Sequence, residues 1–367
     1  MGAGLRAAVF LACLAAPPAL ADILVAFAWD LNGGPVSQTV SLAVEQINNA
    51  GGLLGQKLKI VNFDDGCQEQ QATMVAQRIA DLHPALVLGH GCSASTMIAA
   101  PVYHAAGSIL ITPSSTNPKI TDRGLESVFR MTGRDDRQAA AATDLIARRW
   151  ALSRIAMVDD GSLYARGLTD LVRSGLANRH IMTVLSGAFP PRAAHYPELI
   201  ASLKEARADI VYVAAAWNQD IGNILSDLQG SGLPITMLSG DSANQIGAWN
   251  NGTPMSIPLY YTFLPDPQSN PAAGPLLSLA KARGLLLNRV AIYTYAGIEA
   301  WAEAVRRAGT FEAATVSRVL HRDKFSTVIG EIDFDVKGDL KPPASNWIWY
   351  RWLNGKLDRL DEDGSPK

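Results

Sequence analysis

From Asp22 onward the chain alternates short apolar runs with amphipathic helical stretches, and it does so in two successive series. The run 22–29 (DILVAFAW) leads to a helical stretch over 36–50, where Val40, Ala43, Val44 and Ile47 recur at helical spacing. Gly51 and Gly52 follow, as expected past a helix C-terminus. Strands over 57–63, 85–89 and 108–113, with helices over 68–82 and 94–106, extend this first series. A second begins near Asp135, with helices over 136–149, 164–176, 195–206 and 219–230. Its strands are 154–159, 181–186, 209–215 and 234–238. Such alternation implies mostly parallel sheets covered on both faces, here in two similar lobes. The helices 273–283, 290–308 and 311–321 are too few for a third lobe and are expected to complete the first. The tail 345–352 (SNWIWYRW) returns to the second, its aromatic residues covering sheet and lobe edges.

A length of 367 residues suits two lobes with sizeable cores. The composition, 48% hydrophobic and 18% charged, is that of a globular protein, and no later segment has the ~20 apolar residues of a bilayer span. A net charge of −2 without a basic stripe argues against nucleic acid as a partner. Before Asp22 stand Arg6, an apolar stretch Ala7–Ala16 and a small-x-small site, Ala19–Ala21. These mark a signal peptide, 1–21, cleaved after Ala21, and an exported, periplasmic mature chain. Cys13 as a lipoprotein anchor is the competing reading, disfavoured by the short apolar run before it.

Loss of the leader leaves Cys67 and Cys92, both at strand ends, which in an oxidising compartment are expected to form a disulfide. The alternative is a nucleophilic Cys92 served by His90 or His104. The six histidines lack metal-ligand spacing, and neither a P-loop, a G-x-S-x-G nor an H-E-x-x-H is present. The chain reads as a binder, not an enzyme, with no cofactor expected.

The chemistry concentrates in 64–67 (DDGC), 89–96 (GHGCSAST) and 111–118 (ITPSSTNP), each just past a strand. In open α/β sheets ligands bind outside the carboxyl ends of the strands. The second segment also opens a helix, where unpaired N–H groups beside hydroxyls favour a small anion such as a carboxylate. Ser93 also suits a helix N-cap, and Thr116 a turn.

Together with 45–52 (EQINNAGG), 121–124 (TDRG), 128–136 (VFRMTGRDD), 209–215 (DIVYVAA) and 329–343 (IGEIDFDVKGDLKPP), these motifs resemble the type I periplasmic binding proteins. The closest branch is the leucine/isoleucine/valine-binding family of ABC transporters, and the resemblance spans the mature chain. It implies an α/β fold of two Rossmann-like lobes whose parallel sheets are joined by three crossover strands. The N-terminal lobe would comprise 22–134 plus 265–340, and the C-terminal lobe 135–264 plus 341–367. It implies that Ser93, Thr116 and the backbone at Ser114 receive a ligand α-carboxylate, and that Asp241 receives its α-ammonium. Asp241 stands where the family usually has Glu, and also suits the N-cap of a helix over 242–249. Tyr164 and Trp217 would supply aromatic walls, with core packing as the competing role. Between 33–36 and 45–52 the chain is shorter than the family pattern, so Trp29 or Gln38, beside Cys92, are further candidates for the pocket. The implied function is a monomeric substrate-binding protein that captures a branched-chain or other amino acid by hinge closure and delivers it to a membrane permease. The alternatives are a receptor for an aromatic acid or short amide, or a ligand sensor of the same fold.

Overall fold

A computed structural model describes residues 21–29, 34–245, 256–361 and 364–366. Residues 1–20, within the expected signal peptide, and 30–33, 246–255, 362–363 and 367 lie outside the described residues.

The first series forms β1 (Ile23–Ala28), α1 (Pro35–Asn49), β2 (Leu58–Phe63), α2 (Glu69–Ala80) and β3 (Leu86–Gly89). It continues with α3 (Ser93–Ala105), β4 (Ile109–Thr112), the single turn α4 (Lys119–Asp122) and β5 (Val128–Arg130). The second comprises α5 (Asp135–Arg149), β6 (Ile155–Asp159), α6 (Leu163–Ala177), β7 (Thr183–Ala188), α7 (Pro197–Glu205) and β8 (Ile210–Ala214). Next come α8 (Asn218–Ser231), β9 (Thr236–Ser239) and β10 (Leu259–Phe263). The remainder holds α9 (Gly274–Ala282), α10 (Arg289–Ala308), α11 (Ala313–Arg322) and the hairpin β11 (Phe325–Thr327) and β12 (Gly330–Ile332). The chain ends on β13 (Ile348–Leu353) and β14 (Lys356–Arg359).

One sheet has the order β2-β1-β3-β4-β5 and is wholly parallel. The other runs β14-β13-β10-β9-β8-β6-β7, parallel from β10 to β7. Read from β7 to β10, it repeats the first sheet's order, so each has one switch point, between β1 and β3 and between β6 and β8. At such a point the helices leave opposite faces and the loops part, opening a crevice. The central strands of both sheets are buried on their two faces, which explains why β3, β4 and β8 read as unbroken apolar runs. Helix α10 packs against α1. In the tail, Trp349 and Tyr350 are buried and donate to the carbonyls of Ala141 and Leu264, which makes them packing residues.

The chain passes between the sheets after β5, after β10 and before β13, the three crossovers of the expected fold. Gly133 lets two of them touch: a Cβ there would stand 2.6 Å from the Trp347 ring, whose Nε1 donates to the Arg134 carbonyl at 2.9 Å. Beneath lies a buried ionic cluster. Arg130 Nε donates to Asp339 Oδ1 at 2.7 Å, and Arg134 Nη1 to Asp339 Oδ2 at 2.8 Å. Arg130 Nη1 also caps the carbonyls of Ser115 and Asn117, and Nη2 reaches the Thr121 hydroxyl.

Candidate functional site

The loops leaving the two switch points line one cavity of about 660 Å3, within the ~300–1,000 Å3 range of small-molecule sites. From the first sheet come Trp29, following β1, and Gly91–Ala94, following β3. From the second come Ser162–Tyr164, following β6, and Ala216–Asn218, following β8. Asp160 ties the latter two loops together: its carboxylate accepts the N–H groups of Ser162 (2.9 Å) and Ala216 (2.6 Å).

On the first wall, Cys92 is the N-cap of α3 and Ser93 its first residue, one position later than the N-cap role Ser93 also suits. The first amides of the helix therefore lack a carbonyl from a preceding turn, and the helix dipole adds positive potential where Ser93 meets the cavity. Ser114 faces the same space and donates its hydroxyl to the Gly91 carbonyl at 2.9 Å, joining the ends of β3 and β4. Thr116 does not line the cavity. Ser115 turns inward instead, bonded to the Thr96 hydroxyl (2.8 Å) and the His90 carbonyl, which leaves Thr116 fully buried behind the wall, its carbonyl accepting the Asp135 N–H. Gln38 is exposed on α1 and also lies away from the cavity, whereas Trp29 lines it, stacked on Phe27.

Cys67 and Cys92 form the expected disulfide, with Cα atoms 5.6 Å apart, and pin the 64–67 loop to the start of α3. Closing this loop contributes about 3.5 kcal/mol through the unfolded chain's lost entropy. The nucleophile alternative is thereby overturned. His90 is fully buried between the Asp65 carboxylate and the Tyr103 hydroxyl (2.8 Å), and His104 bonds Ser127 (3.0 Å).

On the opposite wall Asp241 opens a 3-10 turn, Asp241–Gln245, beyond β9; the helix envisaged over 242–249 extends into residues outside those described. Its Oδ1 accepts from the Tyr164 hydroxyl (2.8 Å) and from Gln138 Nε2 (3.0 Å). No other described side chain donates to Oδ2. Gly240 makes this possible: a Cβ there would stand 2.5 Å from the Tyr164 hydroxyl. Tyr164 and Trp217 both line the cavity. Gln138, on α5, escaped the sequence reading because nothing in a helical pattern shows which residue a distant loop will meet.

A second carboxylate lies behind the first. Asp135 is fully buried and its carboxylate makes no well-formed hydrogen bond, the Thr116 hydroxyl interacting with it only weakly. Burial, then the Asp241 charge, push its pKa up to about 8, against a smaller opposing pull from Thr116 and Arg130. Burial also raises Asp241, against the opposing pull of the Tyr164 and Gln138 hydrogen bonds, which favour its charged form. A neutral Asp135 thus relieves the repulsion between the pair. In the unfolded chain an Asp titrates near 3.9. Between about pH 4 and about pH 8 the folded state therefore holds a proton the unfolded state lacks, and this group's contribution to stability falls as pH rises through that window. Asp135→Asn is expected to flatten the decline, with urea midpoints close to wild type at about pH 5 and above it at about pH 8.5. A parallel pH profile in the variant would show that Asp135 is ionised in the fold.

Among the described residues, no cluster of three or more His, Cys, Asp or Glu side chains could hold a metal ion, and no helix is long and apolar enough to cross a membrane. Residues 27–356 match the model of a periplasmic binding protein family. The chain belongs to that family. An amino acid binding protein of Pseudomonas aeruginosa is 33% identical over 352 residues, 93% of each chain. The Leu/Ile/Val-binding protein of Escherichia coli is 30% identical over 328 residues, 87% of this chain and 88% of its own. Among solved structures, a leucine binding protein from Thermotoga maritima superposes with a TM-score of 0.80 at 20% identity, covering 92% of this chain and 98% of its own. These relatives are binding proteins rather than enzymes, and as a periplasmic binding protein this chain owes its cavity to capture, not to turnover.

Proposed function

We propose that this protein is the substrate-binding receptor of an ABC transporter, capturing an amino acid between its lobes and presenting it to a membrane permease. The observation that carries the reading is the facing of unlike walls across one cavity: hydroxyls and free helix amides with Ser93 and Ser114 on one, the Asp241 carboxylate on the other. An α-carboxylate and an α-ammonium on one carbon complement that polarity, and the names of the amino acid-binding relatives support it. Tyr164, Trp217 and Trp29 supply apolar walls around the ligand's side chain. A ligand touching both walls biases a two-state hinge toward closure. The lobes that move are 22–134 with 265–340, and 135–264 with 341–367, the crossovers acting as hinge. The leader directs the chain to the periplasm and is removed after Ala21, leaving a monomer that works without a cofactor.

A thermal-shift screen against the common amino acids tests the reading. A ligand at 100 times its dissociation constant adds about 2.7 kcal/mol of stability. Stabilisation by at least one amino acid is expected; stabilisation by none would remove the proposal.

A further inference from the structure

One side chain at the cavity answers to nothing in an α-amino acid frame. Arg192 follows β7 and is the one basic residue among the described residues lining the cavity. Its φ is +61°, in the left-handed region where a side chain meets steric resistance that glycine would avoid. The conformation is held from behind. The Arg192 N–H donates to Asp220 Oδ1 at 2.9 Å, and the same oxygen accepts the Tyr196 hydroxyl at 2.7 Å. Asp220 itself is fully buried. The result is a guanidinium lying 3.9 Å from the ring centre of Trp217, another cavity residue.

Among the described residues Arg192 makes no ion pair. The cavity carboxylates are turned elsewhere: Asp65 to His90, Asp241 to Tyr164 and Gln138, and Asp64 to the Gly66 N–H. Stacking on Trp217 occupies the flat face of the guanidinium, and the exposed side chain keeps its in-plane N–H donors toward solvent and the cavity, in the fork that matches a carboxylate. A backbone held in a disfavoured conformation to hold an unpaired cation at a binding cavity points to a ligand contact.

Resting on the amino acid reading, we propose that Arg192 determines specificity by receiving a second anionic group, so that the preferred ligand is an amino acid whose side chain ends in a carboxylate. Ser93 and Asp241 hold the α-carbon end, and Arg192 with Trp217 reads the far end. An aliphatic side chain would desolvate the guanidinium without pairing it.

Isothermal titration of wild type, Arg192→Met and Arg192→Gly with glutamate, glutamine and leucine tests this, because glutamine has glutamate's shape without its charge. Wild type is expected to bind glutamate at least about tenfold tighter than glutamine, a preference that both variants lose. The glycine variant, freed of the steric resistance at φ +61°, is expected to melt no lower than wild type without ligand, so its loss would not reflect misfolding. Leucine binding wild type more tightly than glutamate, or a glutamate-to-glutamine ratio unchanged in Arg192→Met, would overturn the role of Arg192 while leaving an amino acid receptor. No binding of any amino acid to wild type would remove the amino acid reading and this inference with it.

Discussion

Asp241→Ala is expected to weaken amino acid binding by roughly 2–4 kcal/mol, the scale for leaving a buried charge without its partner, or about 30- to 1,000-fold in affinity. Two fixed donors, Tyr164 and Gln138, hold Oδ1, so the carboxylate is already aimed when the ligand arrives and little ordering is needed on binding. Oδ2, without a donor from another described side chain, is the oxygen left for an ammonium. Truncation would leave the ligand's cation against the Tyr164 and Gln138 donors, which repel it. Asp241→Asn, which keeps the shape and loses the charge, should fall between the two. Titration calorimetry with the amino acid found by thermal shift reads the effect directly. An affinity unchanged in Asp241→Ala would take this residue out of the site.

Much of this arrangement was legible in the residues. Fully buried strands betray themselves as short apolar runs, so β3, β4 and β8 were placed within a residue or two. The motifs singled out at strand ends line the cavity, because the loops leaving both switch points meet there. What periodicity does not carry is the direction of each side chain in a loop. Ser114, Ser115 and Thr116 look equivalent in sequence. Only the Ser115 bonds to Thr96 and His90 decide that the chain turns inward there and takes Thr116 behind the wall. Arg192 left no signal, since it lies in an irregular segment after β7 and owes its position to a buried aspartate on α8. Gln138 and Asp135 were hidden for a similar reason: they start α5, whose approach to β9 is a property of the second sheet's packing. Charge partners distant in sequence, such as Arg130 and Asp339, form only once the crossovers lie side by side.

That last pair carries the other large effect. Asp339→Ala is expected to destabilise the fold by about 3–5 kcal/mol, because it leaves Arg130, which is fully buried, without its carboxylate. Arg134 would keep Asp122 and Asp136, so the loss falls chiefly on Arg130. The same site ties β5 to the segment leading to β13, since the Arg130 N–H donates to the Gly338 carbonyl (2.9 Å) and the Leu340 N–H to the Arg130 carbonyl (3.2 Å). Burial alone would raise the Asp339 pKa, but Arg130 and Arg134 outweigh it and hold the carboxyl below its usual value. Its contribution is therefore present above about pH 4, where the unfolded carboxyl is ionised, and is lost as pH falls through the lower folded value. Urea unfolding at neutral pH should give the full deficit for Asp339→Ala, and acid titration should show wild type converging on the variant below about pH 4. Replacing both partners, Arg130→Met with Asp339→Leu, should recover much of the loss, because an apolar pair orphans no charge. A single variant as stable as wild type would mean that water, rather than Asp339, compensates Arg130, and that the crossovers are not locked by this pair.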